Sequence, residues 1–355
     1  KEGVYFKDDK CFDGGKGREL VADDVIYTIK RFSDININNQ SWFLLDETIE
    51  GLDKFREITG KVKSPVDYDK YSVSGLVKAD KYNIKIKLKK KNPLLLYSLA
   101  ASSLSIVPKE AVGFYKRKFG RNPVGTGAFR LERYKKKQVM VLVKNPNYHM
   151  HYPNDGEQGD EKLGLLEDAK KKLPFLDEVH IHFMQESQPQ MLKFKKGVLD
   201  WVGLDRDNFT QMITVNDGVS KLNKEYQDRF VFYEESGLSA SYLVFNLKSP
   251  IFKDNPDLRK AIAYAIDIQR SIDLLNSGRG HKLYTVVPPN IPGSEKNIGR
   301  FGYDYSLKKA KEYLKKAGYP DGKGLAPLEI MLSGTSTGVK RYYEFLRNSL
   351  SKINI

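Results

Sequence analysis

The residues that could do covalent or metal chemistry are few: five histidines, one cysteine, and no serine in a GxSxG setting. His149 and His151 stand two apart, as do His180 and His182. On a strand that spacing puts both rings on one face, where they could share a metal ion. No third ligand accompanies either pair, so both read as polar strand faces. Asp155, Glu157, Asp160 and Glu161 offer oxygens for calcium without EF-hand spacing, and read as a solvated loop. Gly14-Gly15-Lys16-Gly17 lacks the GxxxxGK[ST] spacing and the buried strand of a phosphate loop. Gly125-Thr126-Gly127 lacks the third glycine and the helix of a dinucleotide site. The 45 acidic residues carry no motif that singles out a glycosidase pair. Cys11, alone, excludes an internal disulfide and a cysteine zinc site. The expectation is a binding protein and not an enzyme, with no metal and no cofactor.

Aromatic side chains are more plentiful: 21 Tyr, 18 Phe and 2 Trp. Trp42 opens an apolar cluster after a polar loop, and Tyr242 lies on a candidate strand. An aromatic face at a cleft wall accepts varied side chains while backbone groups hold the ligand. Core packing and ligand contact fit both residues equally well.

A chain of 355 residues can hold two or three domains. Hydrophobic content of 40% with 30% charged residues is ordinary for a globular chain. No run of 18 apolar residues could span a bilayer. The net charge is +15, with a pI near 9.4. Such a charge could attract nucleic acid, anionic lipid or an acidic ligand. It also fits lysine-rich solvated faces, which is the reading adopted: in 82–88, Lys85 and Lys87 alternate with Tyr82, Ile84, Ile86 and Leu88.

The elements that must position these residues follow from periodicity and punctuation. A helix spans 22–32, strands lie near 73–77 and 82–88, and an apolar helix covers 93–104. In 122–148 (NPVGTGAFRLERYKKKQVMVLVKNPNY) a glycine corner, where Gly125 and Gly127 serve a positive φ or a close approach, feeds two alternating strands. They turn at 135–137 and end at Asn145-Pro146-Asn147. Further strands are expected at 179–183, 200–202, 230–233 and 242–246, and helices at 189–196, 207–215 and 339–352. Asn255 with Pro256 starts a helix over 257–265, Asp267 caps the next, and Asp304 caps a helix over 305–317.

These segments, in order, resemble bacterial extracellular solute-binding protein family 5, the peptide- and nickel-type receptors of ABC importers. Residues 19–32 (ELVADDVIYTIKRF) resemble the family's TAEDVVFSIKR helix, although Val21 stands where Thr caps it, leaving Asp23 or Asp24 to serve the first turn. NPVGTG…NPNY is similar to PVGTGPY…NPNYW. LPFLDEV at 173–179 and FKKGVLDWV at 194–202 are similar to PYLDKVVF and LQSGEVDI. Residues 242–265 resemble YLGFNTKKPPFDDVRVRQALSYAID, and 303–320 resemble YDPEKAKKLLKEAGYP. An acidic insertion over 154–172 departs from the pattern.

The resemblance implies an α/β, two-lobed periplasmic-binding-protein-like fold, hinged and of class II type, with an additional small α+β domain and truncated at both ends. Residues 1–122 would be the small domain, 123–245 the central part of lobe I, and 246–355 the start of lobe II. The implied role is capture of an oligopeptide or dipeptide between the lobes and delivery to the ABC permease. The same role for a nickel chelate, haem or oligosaccharide, or nucleic-acid binding, are the alternatives. The implied location is the periplasm or outer face of the envelope, with any lipid anchor of a lipoprotein outside the sequence. The implied ligand-binding residues are Tyr242, Val244 and Asn246, the turn Gly203, Leu204 and Asp205, and Trp42.

Overall fold

The computed structural model describes residues 2–216, 219–235, 237–288, 291, 294 and 302–355. The chain divides into two compact units, Lys1–Phe183 and Met184–Ile355.

In the first unit, helix α1 (Ala22–Ser33) starts without a hydroxyl cap. Asp24 replaces it: its carboxylate reaches back to the Val21 N–H at 2.9 Å, half of a capping box. The same carboxylate takes both ends of Arg18 at 2.7 and 2.8 Å, and Arg18 also forks onto Glu110. Helix α2 (Leu52–Lys61) enters through Gly51, whose φ of 76° and closeness to Ser74 leave no room for a Cβ. Ile29, Phe32, Leu45, Ile49, Leu52 and Phe55 form the centre of the core between these helices. Each such burial is worth about 1.5–3 kcal/mol.

The hairpin β1 (Leu76–Lys78) and β2 (Ile84–Ile86) closes this core, with Leu76 opposite Ile86. Asp80 collects the N–H groups of Tyr82 and Asn83 in the turn. The helix expected over 93–104 is broken: α3 (Leu95–Leu99) stops, and a separate 3-10 turn covers Ser102–Leu104. Helix α4 (Lys109–Tyr115) follows. Strands β3 (Phe129–Lys135), β4 (Val139–Lys144) and β5 (Glu178–His182) make an antiparallel meander in that order. The turn falls on the lysines, with Lys137 at φ 60° and Gln138 N–H bonded to the Lys135 carbonyl. Asn145 ends the hairpin, buried, with its amide on the Gly127 carbonyl at 2.8 Å.

The glycine corner corrects one expectation. Neither Gly125 nor Gly127 has a positive φ, and a Cβ would meet nothing closer than 4.0 Å. Hydrogen bonds hold the corner instead, from Lys7 N–H to the Gly125 carbonyl and from Asn145 to Gly127.

The second unit carries helices α5 (Ser187–Lys195) and α6 (Arg206–Met212), then the hairpin β6 (Ile213–Asn216) and β7 (Val219–Leu222). The helix expected over 207–215 therefore ends early, because the chain pairs Ile213 with Leu222. The short helices α7 (Lys224–Gln227) and α8 (Pro250–Lys253) precede α9 (Pro256–Ala265), α10 (Ile268–Asn276), α11 (Leu307–Lys316) and α12 (Thr337–Ser351). Asn255 and Asp267 cap α9 and α10 as expected. Ser306, not Asp304, caps α11, because Asp304 is drawn to Lys282 and Tyr284. Leu258, Ala261, Ala265, Ala310, Leu314 and Leu346 build the core of these helices.

The strands expected at 200–202, 230–233 and 242–246 are absent; those residues carry no regular secondary structure. Over 230–233 the alternation is real, since Phe230 and Phe232 pack inward while Val231 and Tyr233 are exposed. Alternation requires one buried face but not a ladder partner.

Candidate functional site

Trp42 lies in the first unit, in a 3-10 turn over Trp42–Leu44. Its Nε1 donates to Asp46 at 3.0 Å, its ring meets Phe32, and the Arg56 guanidinium lies 4.7 Å from its centroid. The indole is committed to the rim of the core, and the neighbouring Phe43, 73% exposed, is the side chain offered to solvent.

The other sequence-derived candidates lie in the second unit. Asp205 caps α6, with Oδ1 accepting the Asn208 N–H at 2.9 Å and Oδ2 accepting the Ser187 hydroxyl. Gly203 has open space where a side chain would stand. The Leu204 carbonyl accepts from Arg279 Nη1 at 3.1 Å.

Arg279 is a residue the sequence did not single out. Its guanidinium stacks on Phe209 at 4.2 Å and its Nε donates to the Asn276 carbonyl. It makes no ion pair with a described residue. Burial, the largest influence, pulls its pKa below the usual arginine value, while Glu234 and Asp205 pull the other way. A part-buried guanidinium resting on two carbonyls and a ring retains N–H donors for an anion.

Trp201 is the second residue that sequence reasoning missed. It is 76% exposed and stacks, 15° from parallel, with Tyr233, itself 73% exposed. Together the two rings leave a broad aromatic surface open to solvent. The GVLDWV motif held the signal, because an alternating Asp200-Trp201-Val202 puts the indole opposite the inward Val202.

Tyr242 and Val244 are 70% and 76% exposed. No described residue forms a backbone–backbone hydrogen bond with 242–245; the first is the Asn246 carbonyl, which accepts from Ser249. The Asn246 side chain accepts the Lys248 N–H at 3.0 Å. Near His149 and His151 an open cavity of about 510 Å³ also includes Met150, Tyr152 and Lys170. Among the described residues no three His, Cys, Asp or Glu side chains come together as a metal site.

Solved binding proteins share the fold. The DppA protein of Helicobacter pylori, solved with the peptide STSA, superposes with a TM-score of 0.71 at 24% identity, covering all of this chain and 59% of that one. The fold class is thus that of the two-lobed α/β periplasmic binding proteins. The family model for "Bacterial extracellular solute-binding proteins, family 5 Middle" matches residues 1–355, and the chain belongs to that family. Its location is therefore outside the cytoplasmic membrane, and no helix among the described residues is long and apolar enough to cross one. Heme-binding protein A of Haemophilus influenzae is 25% identical across the chain, and the oligopeptide-binding protein AppA of Bacillus subtilis 22% identical across 91% of it. The chain spans 57% and 48% of those relatives' lengths.

Proposed function

We propose that the chain is part of the solute-binding subunit of an ABC importer, and that its cargo is a peptide handed to a membrane permease. Family membership over the entire chain is the observation that carries this reading. Residues 242–245 have no backbone partners among the described residues, and Tyr242, Leu243 and Val244 are exposed while Phe245 packs against the helical core, which suits it chemically. An extended peptide pairing through its main chain needs such a row of open N–H and C=O groups. Tyr242, Trp201 and Tyr233 then supply broad apolar contact with little sequence preference, and Arg279 takes a terminal or side-chain carboxylate. In this reading residues 1–122 are the small domain, 123–245 belong to lobe I and 246–355 to lobe II. Cargo favours the closed form by its differential affinity for it.

Haem is the second reading, favoured by the Haemophilus influenzae relative and by the flat Trp201–Tyr233 stack, with Arg279 a donor suited to a propionate. Calorimetry of the full-length protein with a peptide pool, haem, a nickel chelate and oligosaccharides separates these. Heat from peptides, abolished by a Trp201→Ala and Tyr233→Ala double substitution, is the expected result. Heat from a non-peptide ligand alone would sink the peptide assignment.

A further inference from the structure

Strand β2 and the lysine-rich stretch after it lead into α3, a helix that is apolar on both sides, in a part of the chain the cargo reading does not use. Helix α3 turns Leu95 and Leu99 to the core and buries Ser98. On its other side Leu94, Leu96 and Tyr97 are 62%, 76% and 77% exposed. A helix apolar all round calls for a cover on its outer face. Just before it come Lys85, Lys87, Lys89, Lys90 and Lys91, all exposed. Lys89 is neutralised by Glu47 and Asp53. Lys85, Lys87, Lys90 and Lys91 make no ion pair with any described residue. Asn92 ties the two parts together: its side chain accepts the Leu94 N–H at 2.9 Å and its carbonyl accepts from Leu95. The free ammonium groups of Lys90 and Lys91 are thus held within a few residues of three solvent-facing apolar side chains.

We propose that residues 85–97 form a membrane-surface contact that lays Leu94, Leu96 and Tyr97 into the headgroup boundary of an anionic bilayer while Lys85, Lys87, Lys90 and Lys91 meet its phosphates. The occupant follows from the pairing of charges. A protein partner or a second copy of this chain would need a matching acidic rim around an apolar socket, whereas the chain's own net charge of +15 repels a second copy. An anionic lipid surface offers negative charge and an apolar interior at the same place. Membership of an extracytoplasmic family puts such a surface within reach. Each lysine near an anionic bilayer adds about fivefold in affinity (~1 kcal/mol), and the three apolar side chains add a salt-insensitive part. Tyr at the boundary keeps its hydroxyl wet while its ring is buried.

The test is co-sedimentation of the full-length protein, without any lipid anchor, with vesicles of phosphatidylcholine containing about a third phosphatidylglycerol. Binding at low salt, weakened by high salt and absent from pure phosphatidylcholine, is expected. Lys90→Gln with Lys91→Gln should weaken it about 25-fold, and Leu96→Ser with Tyr97→Ser should also weaken it and flatten the effect of acyl-chain depth. The indole fluorescence introduced by Tyr97→Trp in otherwise intact protein should be quenched by phosphatidylglycerol brominated on its acyl chains. The lysine pair is exposed, so that variant keeps the fold even if the apolar one does not. No binding to anionic vesicles overturns the proposal. So does binding that neither double substitution alters, which assigns it to other lysine faces, and so does introduced fluorescence that bromine leaves untouched. Self-association of the protein that Leu96→Ser with Tyr97→Ser dissolves would overturn it in favour of a second copy. None of these outcomes depends on the cargo.

Discussion

Arg279 has the most to gain from a ligand of any residue in the candidate site. Its positive charge is part-buried, its donors are only partly used, and the carboxylates nearest it, Glu234 and Asp205, act at a distance. A hydrogen-bonded ion pair with a cargo carboxylate is worth about 1.5–3 kcal/mol. Arg279→Leu should therefore lower affinity for a free-acid peptide roughly tenfold to a hundredfold. The same peptide with an amidated terminus and no acidic side chain should bind both proteins alike. Equal losses for the acid and the amide would reduce Arg279 to a prop for the Leu204 turn. Asp205 presents the opposite case, since both of its carboxylate oxygens are already engaged within the unit.

Helix α6, which Asp205 caps, contains an oddity of its own. Asn208 is 1% exposed, yet neither its amide nitrogen nor its oxygen has a partner among the described residues. A buried polar group left unpaired costs about 1–3 kcal/mol. Asn208→Leu, close in shape, should raise the urea midpoint by a corresponding amount, while Asn208→Asp should lower it by burying a charge. A lower midpoint for the leucine variant would mean that the amide is satisfied after all. Caps and tight turns are the parts of this fold most legible in sequence. Asn255, Asp267, Asp24 and the lysine turn depend on groups within a few residues of one another. Strands at 200–202, 230–233 and 242–246 are not legible, because alternation shows which side chains face inward but not whether another strand lies alongside. The same limit hides Arg279 and Trp201. Their significance comes from Leu204, Phe209 and Tyr233, which the folded chain brings to them from far along the sequence.

Across the whole molecule, 60 basic residues outnumber 45 acidic ones. Removing carboxylate charge therefore adds to an existing positive excess. Several carboxylates have pKa values lowered by the fold. Asp8 sits at about 2, held there first by Lys16 and then by the Gly17 N–H. Glu19 is also at about 2, through the Gly3 N–H, the Tyr82 hydroxyl and Lys81. A lowered folded pKa gives stability that is complete above the unfolded value, near 4, and lost as pH falls toward the folded one. The thermal midpoint should accordingly fall between about pH 4.5 and pH 2. Asp8→Asn with Glu19→Gln should flatten that fall while slightly lowering the midpoint at neutral pH, because both groups are solvent-screened. A midpoint level across this interval would contradict the ion-pair geometry. The family and the fold class are legible at this scale because motifs in register along the chain add up where no single one suffices.

The meander of β3, β4 and β5 also bears on how the chain assembles. Its first ladder closes over a turn of lysines, but its second waits for β5 to return after the acidic stretch that follows Asn147. Loop-closure entropy grows only logarithmically, so doubling such a stretch costs about 0.6 kcal/mol. The β3–β4 pairing is local, while the β4–β5 pairing must close the longer loop, at a cost that changes little with the insertion's length. That makes the 154–172 region a cheap place for evolution, or an engineer, to splice in new sequence.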